Sequence, residues 1–217
     1  MNDAPSELEL TAFHESGHCV LAHLRGMTVV HASVVAEPGA LGSVHTKQTR
    51  PGRKAPLASP ARRAGVLGYI EMCLAGPVAQ ARRLLTTNHE APTVEVVMDC
   101  FHDNTGRSQT DLKDAVIAAK AVSFSREEAK HLVKHLTLRA AGRMVHSDKI
   151  WLGVTAVAMA LLEHGELDGG HVHWVLRAVL AGRSYYELRH QLAARVNSAT
   201  WSRVPPRLSR AAARLGA

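Results

Sequence analysis

The sequence has little of several things, and each shortage excludes a class. Only three cysteines occur (Cys19, Cys73, Cys100), odd in number and without any C-x-x-C, so neither a disulfide framework nor a thiolate zinc site is indicated. Aromatic residues make up 4% of the chain, and none is interleaved with the basic stretches Arg50 to Arg63 and Arg203 to Arg214. Base stacking is therefore not provided for, and the excess of 26 basic over 19 acidic side chains reads as a solvated loop and tail, with no nucleic-acid partner. No apolar run reaches the roughly 20 residues that a bilayer requires, so no membrane span is expected. Residues 1 to 10 lack a basic segment followed by an apolar one, which makes a cytoplasmic location the default expectation. No G-x-x-x-x-G-K-[ST] phosphate loop occurs either, so these residues carry no nucleotide motor of that kind.

What remains is ordinary globular composition: 46% hydrophobic and 21% charged residues over 217 positions. That suits one buried core, read as a domain over 1–196 followed by a basic tail over 197–217. Ser6 with Glu9 forms a capping-box pattern ahead of a helix that stops at Gly26. Thr28 to Val35 and Leu41 to Thr46 read as a strand pair turning at Pro38-Gly39. The stretch Arg62 to Leu85 is helical in pattern but interrupted by Gly76-Pro77, predicting a kink or two helices. Asn88 to Arg107 shows no clear helical period and includes a β-like piece, Val94 to Met98. Four amphipathic helices follow, Thr110 to Val122, Ser125 to Val145, Ile150 to His164 and Asp168 to Leu180. The fold class is mainly α with a small β-hairpin or sheet.

The chemistry is concentrated in His14-Glu15-Ser16-Gly17-His18, an H-E-x-x-H inside the first helix. Histidines at i and i+4 stack on one helix face and can reach one metal ion, while Glu15 lies about 100° round the axis, beside the ion rather than on it. A carboxylate there can take a proton from activated water and pass it to a leaving amine, which is metal-assisted amide hydrolysis. With 14 histidines and 12 glutamates in the chain, chance supplies about 0.05 such pentapeptides. A third ligand has to come from elsewhere, and Glu71 on the next helix is one candidate. His45, Asp114, His89 and His102 are others. His131 and His135 repeat the i, i+4 spacing without a glutamate between flanking lysines and read as a solvated face. His171 and His173 sit about 200° apart on a helix and cannot chelate together.

Residues Thr11 to Leu24 (T-A-F-H-E-S-G-H-C-V-L-A-H-L), together with Ala40 to Thr46 (A-L-G-S-V-H-T), resemble the start of the zinc peptidase domain of FtsH-type proteases. Leu74-Ala75-Gly76-Pro77-Val78-Ala79-Gln80, Asp111-Leu112 with Ala115, and Leu161 to Leu176 continue that resemblance in order over about 170 residues. It implies a zincin-like helical bundle, a Zn2+ cofactor, and Asp111 as third ligand beside His14 and His18, with Glu15 as the catalytic acid–base. Residues Ala40, Leu41, Gly42, Ser43 and Val44 would then be the strand edge along which a polypeptide substrate adds. The implied activity is zinc-dependent endopeptidase action on extended or unfolded chains, ATP-independent by itself, with a homo-oligomer or an ATPase acting in trans as further partners. A catalytically silent binding module that recognises peptide or a partner protein is the alternative.

Overall fold

A computed structural model describes residues 4–36, 41–47, 60–86, 92–103 and 109–197. The architecture is mainly helical with a three-stranded antiparallel sheet, and it is built around its first helix. α1 (Glu7–Leu24) starts where Ser6 accepts a hydrogen bond from the Glu9 amide at 3.2 Å, with Glu7 and Glu9 in the first turn to complement the helix dipole. It ends at Arg25 and reverses through Gly26, whose φ of 69° lies in the left-handed region that favours glycine. Residues from Leu10 to Ala22 are buried on nearly every side apart from His14, because α1 is covered by α2 (Pro60–Thr86), α6 (Asp148–His164) and the sheet.

α2 runs through Pro77 as one continuous helix, which excludes one of the two expected outcomes, a break into two helices. Pro77 withholds the hydrogen bond that position 77 would give to the Cys73 carbonyl, a defect that costs about 3 kcal/mol in an exposed helix. Here α1, α4 (Gln109–Lys120) and α5 (Arg126–His146) pack along α2 and hold it together.

The expected β-like piece at Val94 to Met98 is instead the start of α3 (Val94–Asp103). Val94, Val97, Met98 and Phe101 pack into the core at i, i+3, i+4 and i+7, with Cys100 partly buried beside them. That is a helical period, and it prevails over the β propensity of three valines once the stripe has a core to cover.

β1 (Val29–Ser33) is the central strand, with β2 (Ser43–Thr46) on one side and β3 (Glu166–Asp168) on the other. In register, Ala32 faces Val44 across one ladder and Leu167 across the other. β3 arises where α6 stops at Gly165, φ 74°, and it leads straight into α7 (Gly169–Leu180), capped by Asp168. A Cβ on Gly169 would lie 1.8 Å from the Val29 carbonyl oxygen, so only glycine lets α7 start against β1. The chain closes with α8 (Tyr185–Asn197), absent from the sequence reading, which buries Tyr185, Leu188 and Leu192 against α6 and α7. The turn at Pro38-Gly39 and the tail beyond Asn197 lie outside the described residues. Among those described, no single helix is long and apolar enough to cross a membrane.

One buried charge ties three helices. Glu71 of α2 is fully buried and meets Arg25 at the end of α1 with Arg139 and Arg143 of α5, the last two at 2.9 and 3.1 Å. Burial alone would raise its pKa, but hydrogen bonds from Arg139 and Arg25 and the charge of Arg143 hold it below the ordinary carboxylate range. Its stabilisation is therefore present above that ordinary range and is lost as pH falls through the depressed folded-state value. Because the arginines are partly exposed and can rehydrate, Glu71→Gln should cost about 2 to 3 kcal/mol, less than the roughly 3 to 5 kcal/mol of breaking a fully buried pair. Denaturant melts from neutral to acid pH should show this difference shrinking as pH falls; a constant difference would mean that packing rather than charge is lost.

Candidate metal centre

The two histidines of the H-E-x-x-H stretch project from one face of α1 toward the first turn of α4, where Asp111 waits. Asp111 Oδ2 lies 2.9 Å from His14 Nε2 and 3.5 Å from His18 Nε2. One donor atom from each of the three residues falls within 4.8 Å of the others, a grouping that could hold a metal ion. Ligand atoms on a tetrahedral zinc with bonds of about 2.0 to 2.1 Å are separated by about 3.3 Å, so the observed spacings suit such an ion.

The far sides of the imidazoles are already engaged. His14 Nδ1 donates to Gln80 Oε1 at 3.0 Å, and His18 Nδ1 donates to the Met72 carbonyl at 2.8 Å. Placing the proton on Nδ1 leaves Nε2 as the ligating atom and fixes each ring, the support that histidine ligands commonly receive. Both acceptors lie on α2, eight residues apart, so one helix orients both rings. Gly76 sits between them: a Cβ there would come within 2.4 Å of His18 Nε2 and 2.9 Å of His14 Cδ2. The absent side chain is the space the imidazoles occupy.

Electrostatics favour a cation at this point. Burial works against charge on His18, but the carboxylate and hydrogen bond of Asp111, with Glu15 behind, lift its pKa to about 9. Burial also works against the Asp111 carboxylate, and the two imidazoles outweigh it, holding its pKa well below the usual range. Asp111 further benefits from its place in the first turn of α4. Glu15, buried beside the group, is raised: desolvation exceeds the pull of His18 and His14, and Asp111 adds repulsion.

A cleft of about 820 Å³ opens over these residues, with α1 as floor and β2 as one wall. Leu41, Gly42, Ser43 and Val44 all line it; Ala40 lies outside the described residues. Gly42 crosses directly over Glu15, since a Cβ there would be 2.8 Å from Glu15 Oε1. Among the described residues β2 is an end strand, paired on one side with β1.

The other candidates are dispersed. Glu71, though on α2, belongs to the arginine cluster and is not in the group with His14 and His18. His45 and Asp114 line the cleft without joining that group, His102 is exposed near the end of α3, and His89 lies outside the described residues. Gln80, Gly76 and the Met72 carbonyl escaped sequence reasoning. A backbone carbonyl leaves no signal in a sequence, but Gly76 and Gln80 stand four residues apart and so share a helix face. A scan against protein-family models finds no match for the chain, and no curated protein matches it.

Three substitutions separate ligation from scaffolding. Asp111→Asn should weaken zinc affinity at least tenfold, whereas folded Glu71→Gln should bind zinc as the parent does. Gly76→Ala should impair zinc binding as severely as losing a ligand, although it removes no donor atom. Competition against a chromophoric chelator measures all three, and undiminished affinity in Gly76→Ala would show that the rings can yield.

Proposed function

We propose that the chain is a zinc-dependent endopeptidase that hydrolyses extended or unfolded polypeptides, with an FtsH-type peptidase fold. The observation that carries this reading is the convergence of His14, His18 and Asp111, on rings oriented from behind, with the buried Glu15 carboxylate beside them. The donor set fits the metal: two imidazoles and one carboxylate, the complement of a catalytic zinc site that keeps a position open. Zinc held there would supply Lewis acidity, acidifying water and polarising a carbonyl.

The chain's own residues do the rest. Glu15 takes the proton of the attacking water and returns it to the amide nitrogen, so that the amine leaves neutral. Gln80 and the Met72 carbonyl keep both imidazoles in the ligating tautomer. Residues 41–44 offer backbone groups beside Glu15, where an extended peptide can add to the sheet at β2 and lie across the catalytic carboxylate. Strand addition demands an extended substrate, because a folded protein presents such a segment only by local opening. An oligomer of this chain or an ATPase partner would act by supplying unfolded chain.

Cleavage of a permanently unfolded polypeptide should be abolished by a zinc chelator and indifferent to ATP, with a stably folded control spared. Glu15→Gln should keep zinc yet lose about 10² to 10⁴ in kcat, and His14→Ala should lose both metal and activity. Zinc-loaded protein that binds unfolded chains but leaves them intact across neutral pH would overturn the peptidase reading in favour of a peptide-binding module.

A further inference from the structure

A second pair of imidazoles meets at the other end of α1. His23 in its last turn and His173 in α7 are 150 positions apart in sequence, yet their Nδ1 atoms lie 3.2 Å from each other. The ring centroids are 5.0 Å apart and the planes are inclined by 58°. Both backbones are anchored, since Leu21 and Ala22 precede His23 in the core while Val172 and Val175 flank His173 there. The rings themselves reach water: His23 is half-buried and His173 exposed. His18 is the nearer of the two cleft histidines, five positions from His23 or about 7.5 Å along the helix, and neither His23 nor His173 lines the cleft, so this pair is distinct from it.

We propose that His23 and His173 form a two-histidine site for a divalent transition-metal ion of the zinc, nickel or copper class. The spacing suits it. Two nitrogens bound to one ion stand about 3.3 Å apart in tetrahedral and about 2.9 Å in square-planar geometry, and 3.2 Å lies between. In the free protein one N–H bridges the two Nδ1 atoms; on chelation that proton moves to Nε2 of the same ring, so both Nδ1 lone pairs face the ion and no net proton is released. The neutral form is favoured in advance, because burial and then the charges of His173 and Arg177 hold His23 below the ordinary histidine pKa. Arg177 also repels the ion, and two protein ligands are fewer than three. This site is therefore weaker than the one in the cleft, with water completing its shell. Bridging α1 to α7, the ion would stabilise the contact between them.

The full chain, stripped of metal, should be titrated with Zn2+ and separately with Ni2+ against a chromophoric chelator at neutral pH. Two steps are expected in the wild type. His14→Ala should remove the tighter one alone, and His173→Asn should weaken the second at least tenfold while leaving the first intact. His131→Asn is the control, because His131 and His135 form an exposed i, i+4 pair on α5 that can compete for the same ions. With one equivalent of Cu2+ added to His14→Ala protein, electron paramagnetic resonance should show coupling to two imidazole nitrogens, lost on combining His173→Asn. His173→Gln, confirmed folded by circular dichroism, repeats the comparison with a longer side chain. A second step that persists in both His173 variants, or that disappears with His131→Asn, would overturn the proposal. None of these readouts depends on peptidase activity.

Discussion

The close crossing of α1 and α2 is the constraint on which the candidate site depends. A Cβ on Gly17 would lie 2.4 Å from the Ala75 carbonyl oxygen and 2.8 Å from Ala79 Cβ, so the two backbones approach more closely than any larger residue would permit. That approach brings the Met72 carbonyl and Gln80 within hydrogen-bonding reach of the imidazoles and places Gly76 where the rings need room. Two glycines on facing helices thus do complementary work: Gly17 lets the helices meet, and Gly76 leaves space for the side chains at their meeting.

Two buried glutamates show how environment divides one residue type into two roles. Glu71 is surrounded by three guanidinium groups and serves as an anionic hub for α1, α2 and α5. Glu15 has desolvation outweighing the pull of His18 and His14 and is left with a raised affinity for a proton. A carboxylate held firmly ionised joins elements, whereas one that can exchange a proton is suited to acid–base work. The arginines that complete the Glu71 cluster come from 46, 68 and 72 residues away, which is why the sequence left this glutamate open as a ligand.

The sheet has few strands and a large positional role. β1 at its centre receives β2 from the cleft side and β3 from the α6–α7 connection, and β2 is thereby set across Glu15. The same connection begins α7, which carries His173 back to the end of α1. α1 accordingly presents imidazoles at two places, each completed by a residue from a distant part of the chain, Asp111 in one and His173 in the other.

What local sequence determines here is whatever depends on spacing along a single helix. The cap at Ser6, the stop at Gly26, and His14 and His18 on one face follow from positions three, four or a few residues apart, so they are legible without a structure. The amphipathic helices from Thr110 to Leu180 follow in the same way. Local reasoning failed where propensity and period disagreed, at Val94 to Phe101, where burial of the 94–97–98–101 stripe chose helix over strand. It failed again at β3, whose three residues carry no periodicity, and at Pro77 it left a kink or two helices open, where packing on several sides keeps one helix. Which carboxylate stands beside the histidines was a tertiary decision: Asp111 is brought there by the packing of α4 on α2, while Glu71 is turned toward arginines. The pairing of His23 with His173 was settled in the same way, because contacts between residues 150 positions apart are fixed by how helices pack and not by any pattern within them.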